Sequence, residues 1–172
     1  VGANLFKRIA LLRKDVFAVV RDKKGWRLAD VHDERIIVAD LNDPNATRNL
    51  VSSLKPRTVF DCMAYGAYSF EERVDLIYET NFLAVVNLVE LLANLGVSAY
   101  VHAGSSSEYG TNCTAPAETS FRDPNSHYAM SKSAVADYLL YVGRHRQFPC
   151  LNLRLYSVYG PLEDTSRLIP NL

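Results

Sequence analysis

Short unbroken apolar runs alternate with longer stretches of helical periodicity along this chain, and that alternation restricts its fold more than any other feature. "VFAVV" ends at Arg21, "RIIVADL" ends around Asp40 and Leu41, and "RTVFDCMA", "VSAYVHAGSSS" and "PCLNLRLYSVYGP" follow at intervals. Continuous runs of this kind suit strands buried on both faces of a parallel sheet. An amphipathic helix, "VGANLFKRIALLRKD", precedes the first run. "NDPNATRNLVSSLK", "RVDLIYETNFLAVVNLVELLANLG" and the stretch beyond Asn125 read as the intervening helices. The pattern predicts an α/β sandwich with a mostly parallel sheet flanked by helices. No repeat, low-complexity tract or flexible linker divides it, so residues 1–172 read as one domain.

In open parallel sheets ligands bind beyond the carboxyl ends of the strands. Arg21, Asp40, Ala64-Tyr65-Gly66, Ser105-Ser106-Ser107 and Tyr156-Ser157 all fall at such ends. A further pair sits on a predicted helix. In "NSHYAMSK" Asn125 and Ser126 are good N-cap types, and Tyr128 and Lys132 are four residues apart. That spacing puts phenol and ammonium on one helix face. A free tyrosine titrates near ~10, and a neighbouring cation favours its ionised form.

Charge and cysteine content narrow the classes of partner. Nineteen Lys plus Arg balance nineteen Asp plus Glu, so net charge points to neither nucleic acid nor an acidic membrane. No apolar run is expected to span a bilayer, and no leader is expected. Cys62, Cys113 and Cys150 are far apart, have no metal-ligand spacing and read as reduced thiols of a cytoplasmic protein.

Taken in order, "VADL", "AYGAY", "AGSSSEYG", "HYAMSK" and "RLYSVYGP" resemble the extended short-chain dehydrogenase/reductase family, in its NAD(P)-dependent nucleotide-sugar epimerase/dehydratase branch. The resemblance covers nearly the whole chain and implies a Rossmann-like, doubly wound fold. It makes Tyr128 the general acid/base and Lys132 the cation that eases its ionisation and bonds the nicotinamide ribose. The Ser/Thr position that holds the substrate oxygen falls on Ser105 when counted back from Gly110 without a gap, and on Ser106 with one. Ser106 and Ser107 are then expected to touch substrate. Where the family's 4,6-dehydratases often have an Asp-Glu pair, this sequence has those two serines, which favours epimerisation or keto-sugar reduction. A gap would make Glu108 available and weaken that argument.

The resemblance also assigns a dinucleotide site. Gly2 corresponds to the third glycine of the phosphate turn, Asp40 and Leu41 flank the adenine, and Ala64, Tyr65 and Gly66 allow close approach. Asn81 braces the backbone from an otherwise apolar helix, where a buried amide needs partners. Tyr156, Ser157 and Val158 lie over the nicotinamide, and Arg154 reads as an ion-pair partner. Arg21, followed by Asp22, Lys23 and Lys24, suits a 2′-phosphate and gives a modest preference for NADP(H), with Asp22 leaving NAD open.

The first strand, its glycine turn and the C-terminal substrate region are expected to lie outside this sequence, leaving unpaired sheet edges, and the piece by itself is expected to be poorly stable and inactive. The apolar run Leu139 to Val142 suggests a homodimer of the whole enzyme. A non-catalytic dinucleotide-binding member of the fold, and a reductase of a non-sugar ketone, remain the alternatives. The first of these would commonly lack the tyrosine or the lysine.

Overall fold

The computed structural model describes the chain apart from residues 23, 24, 69, 167, 168 and 170–172. Lys23 and Lys24 of the basic loop therefore lie outside the described residues, as does most of the terminal "RLIPNL". The chain forms two compact units, residues 1–40 with 157–172, and residues 41–156.

The first unit contains helix α1 (Gly2–Ala10) and strands β1 (Ala18–Val20) and β2 (Ile36–Val38). The strands pair in parallel, with Ala18 opposite Ile36 and Val20 opposite Val38. They are shorter than the apolar runs that predict them. Arg35 donates to the Ala10 carbonyl at the end of α1 (3.1 Å), and Asn4 donates to the Pro161 carbonyl (2.7 Å).

The second unit is built on β3 (Thr58–Asp61), β4 (Ala99–Ser105) and β5 (Cys150–Leu155), all parallel, with β4 in the middle. Among the described residues the strands thus form two parallel sheets, each hydrogen-bonded within itself. Helix α2 (Pro44–Leu54) begins at Asp43, whose side chain accepts from the Asn45 amide, with Pro44 in the first turn. The long apolar segment is helical from Val74 to Leu95 but changes register: α3 (Val74–Tyr78), a π-turn (Glu79–Leu83), then α4 (Ala84–Leu95). Helix α5 (His127–Arg146) starts where the sequence predicts, Ser126 accepting from the Ala129 amide at 3.1 Å.

The core lies between one face of this sheet and the helices. Val51 of α2, Val85, Leu88, Val89 and Leu92 of α4, Val135, Leu139 and Val142 of α5, and Tyr100 of β4 form one buried cluster. Each such aliphatic side chain contributes about 1.5–3 kcal/mol by leaving water. This burial gives Val74–Leu95 its place. By length and mean hydropathy that stretch could cross a bilayer, contrary to the sequence reading, but here it packs against α2 and α5. The apolar run of α5 divides similarly, Leu139 and Val142 inward, Leu140 and Tyr141 exposed.

Candidate active site

Lys132 lies in the second turn of α5 and is almost wholly buried. Its ammonium reaches under the carboxyl ends of β3 and β4, donating to the Ala103 carbonyl (3.0 Å) and the Met63 carbonyl (3.4 Å) and lying 3.3 Å from His102 Nε2. Burial lowers its pKa, against the opposing influence of Asp61, Glu108 and Cys62. Tyr128 sits one turn earlier on the same helix, half-buried. Its ring passes beside Gly66, where an added Cβ would stand 3.7 Å from Tyr128 Cδ2 and only 2.7 Å from Ile77 Cγ1. Gly66 has φ +89°, so both its backbone and its surroundings exclude a side chain.

The loop after β3 is held from two directions. Asn81, fully buried in the π-turn, accepts from the Tyr65 amide (2.8 Å) and donates to the Tyr65 carbonyl (2.8 Å) and to Ser131 Oγ (3.0 Å). Ser131 in turn donates to the Tyr128 carbonyl (2.8 Å). Asn81 therefore ties the strand-end loop to the helix that carries Tyr128. The π-turn gains meaning from this, since extra residues inside an α-helix mark functional positions often. Glu71 supplies the second hold, accepting from the Gly66 and Tyr68 amides at 2.9 and 3.1 Å.

The serine cluster is a built turn. β4 passes into a short 3₁₀ turn (Ser106–Tyr109), capped by Ser105, whose Oγ accepts from the Ser107 amide (3.1 Å). Glu108 closes the capping box by accepting from the Ser105 amide (3.1 Å). Ser105 lies two residues beyond Ala103, the carbonyl that holds the Lys132 ammonium. Its oxygen lone pair serves the turn, and its O–H can still be donated to a ligand. Glu108 is fully buried. It accepts from Arg154 Nε (2.7 Å) and from Asn152 (3.2 Å), and Arg154 also donates to Tyr109 Oη and the Glu118 carbonyl. Gly104 makes room for this carboxylate, because a Cβ there would overlap Asn152 Oδ1 and stand 2.7 Å from Glu108 Oε1. Arg154 is the ion-pair partner that the sequence suggests.

Sequence reasoning passed over Asp61 and His102. They face each other directly in the β3–β4 register, both fully buried, with Asp61 Oδ2 2.8 Å from His102 Nδ1 and accepting from Tyr100 Oη at 2.6 Å. Burial alone would raise the Asp61 pKa. The bonds from His102, Tyr100 and the Met63 amide outweigh it, and the pKa lies below the ordinary value. An acid inside "VFDCMA" was the available signal, since a carboxylate at the end of an apolar strand must have a partner.

Within residues 41–156 the fold thus gathers Ala64 to Gly66, Asn81, Ser105 to Ser107, Tyr128 and Lys132 around the carboxyl ends of β3 and β4. Leu41 and exposed Tyr156 belong to the same unit. Gly2, Arg21, Asp40, Ser157 and Val158 belong to the other, where Arg21, Asp40, Ser157 and Val158 are exposed. The side of Gly66 that lacks a Cβ faces Ile77 and Tyr128, and its amide is taken by Glu71, so its small size serves packing. The lysine's three donors already face three protein acceptors, so a ribose contact would have to displace the longest, to the Met63 carbonyl.

The sequence pattern of the NAD dependent epimerase/dehydratase family matches residues 1–172. The protein CapI of Staphylococcus aureus is 31% identical over 112 residues, which are 62% of this chain and 33% of that protein. The crystal structure of Thermus thermophilus UDP-glucose 4-epimerase in complex with NAD has a TM-score of 0.79 and 27% identity, covering 95% of this chain and 54% of that one. UDP-glucose 4-epimerase of Thermotoga maritima, solved with UDP-glucose, shares the fold with a TM-score of 0.83 at 21% identity, covering 95% and 54%. The chain spans about a third of the curated relative and about half of these solved structures.

Proposed function

Because the chain belongs to the NAD dependent epimerase/dehydratase family, we propose that it is the dinucleotide-binding part of an NAD(P)-dependent nucleotide-sugar epimerase or 4-ketoreductase. The observation that carries this reading is the Lys132 ammonium drawn beneath Ala103, two residues before Ser105, with Tyr128 one turn above it on α5. A bound dinucleotide would supply the hydride acceptor and donor for the sugar carbon. Ala64, Tyr65 and Gly66 would line the dinucleotide. Tyr128 takes the proton of the substrate hydroxyl as that carbon is oxidised, and gives it back on reduction. The Lys132 charge favours the phenolate that does so, and Ser105 donates its O–H to the same substrate oxygen.

Two further points support the choice of reaction. Ser106 and Ser107 carry no group able to act as acid or base near neutral pH, and the Glu108 carboxylate is engaged by Arg154, Asn152 and the Ser105 amide. An elimination would need an acid there, so epimerisation or keto reduction is the better reading. Exposed Arg21 after β1 favours NADP(H) over NAD. Exposed Met130, Leu140 and Tyr141 on α5 suit a homodimer of the whole protein.

Incubating the native polypeptide with UDP-sugars and either dinucleotide tests the reading, with sugar products resolved by NMR and nicotinamide absorbance followed. A 4-epimer or a reduced 4-keto sugar is expected, with tighter binding of NADP(H). A 4-keto-6-deoxy product would mean dehydration and overturn it.

A further inference from the structure

The Lys132 ammonium does not meet the buried acid behind it directly; an imidazole stands between them. We infer that Asp61 and His102 are positioning residues for Lys132: the Asp61 carboxylate keeps the His102 proton on Nδ1, so that Nε2 is presented as an acceptor to the lysine. The inference rests on the reading of Lys132 as the charge that acts on Tyr128.

The chain of contacts runs Tyr100 Oη, Asp61 Oδ2, His102 Nδ1, His102 Nε2, Lys132 Nζ, with separations of 2.6, 2.8 and 3.3 Å. All four side chains are buried. Two proton arrangements satisfy every member, an ammonium donating to a neutral imidazole and an amine accepting from an imidazolium, and the inferred one is the first. Asp61 accepts from both Tyr100 and His102, which requires Nδ1–H. The ammonium donates to two carbonyls, Ala103 and Met63, which stabilise its charged form and leave its third hydrogen for Nε2. A proton moved from lysine to imidazole would leave the carbonyls facing an amine of weaker donor strength.

The arrangement has a consequence for catalysis. A direct Asp–Lys pair would cancel much of the field that Tyr128 experiences. With the ring interposed, the carboxylate supports the buried ammonium from a distance and leaves its charge directed along the helix face. The other groups that face Lys132 do not replace this support. The Glu108 charge is paired with Arg154, and burial raises the Cys62 thiol, which stays neutral.

The test uses the native polypeptide with ¹⁵N-labelled histidine and ¹³Cε-labelled lysine, His102 being assigned by its loss in His102→Gln. At neutral pH His102 should show a protonated Nδ1 and an unprotonated Nε2. Asp61→Asn should raise the share of the other tautomer, move the Lys132 titration to lower pH, and shift the alkaline limb of kcat the same way, lowering kcat about tenfold at pH values beyond that limb for a one-unit shift. His102→Gln, which keeps an acceptor for Nζ and a donor for Asp61, should retain more activity than His102→Leu. A protonated Nε2 in the unaltered protein, or a Lys132 titration unmoved by Asp61→Asn, would overturn the inference. If Asp61→Asn does not fold, the tautomer in the unaltered protein and the Gln-against-Leu comparison still decide it. These spectra do not require turnover, so they are independent of whether Tyr128 is the acid/base.

Discussion

Tyr128→Phe in the native polypeptide should cut turnover by about 10²–10⁴-fold while leaving dinucleotide affinity nearly unchanged. The substitution removes one oxygen from a half-buried ring and preserves the contact beside Gly66. The Ser131 bond to the residue 128 carbonyl is a backbone contact and survives. The loss should fall on kcat with little change in cofactor Kd. Steady-state kinetics beside cofactor titration measure both. Turnover at the unaltered rate would leave Tyr128 without the proposed role.

Glu108→Ala should have its largest effect on stability, a loss of about 3–5 kcal/mol in denaturant unfolding. The carboxylate is fully buried and joins β4 to β5 through Asn152 and Arg154, while capping the turn that begins at Ser105. Its removal leaves a mostly covered guanidinium without its counter-ion and the Ser105 amide without its acceptor. Glu108→Gln keeps an acceptor and should lose less, because only the charge is missing. Should Glu108→Ala abolish turnover with unfolding unchanged, the carboxylate would be taking part in chemistry, and dehydration would return as the better reaction.

Much of this arrangement was legible because it depends on local spacing. Ser126 as a cap, Tyr128 and Lys132 one turn apart and Asn81 as an amide in an apolar helix follow from neighbours along the chain. What could not be read depends on strand register. Asp61 and His102 are 41 residues apart and meet because β3 and β4 align them. The same alignment puts Tyr100 within reach of Asp61, on the face that period-two alternation turns toward the helices. Glu108 was seen only as a possible acid, because the residue that claims it lies on β5. The π-turn at Glu79–Leu83 was also missed. Apolar periodicity predicts a helix there but does not distinguish one extra residue per turn. At the triple serine, Ser105 Oγ caps the turn by accepting from the Ser107 amide.

Titrating the Tyr128 phenol, by ¹³Cζ-tyrosine NMR on the native polypeptide with and without Lys132→Met, tests the central claim most directly. The account predicts ionisation below the free-tyrosine value of about 10, and a move to higher pH once the ammonium is replaced by a methyl thioether. A phenol that ionises at or above the free value, or that does not respond to Lys132→Met, would contradict it.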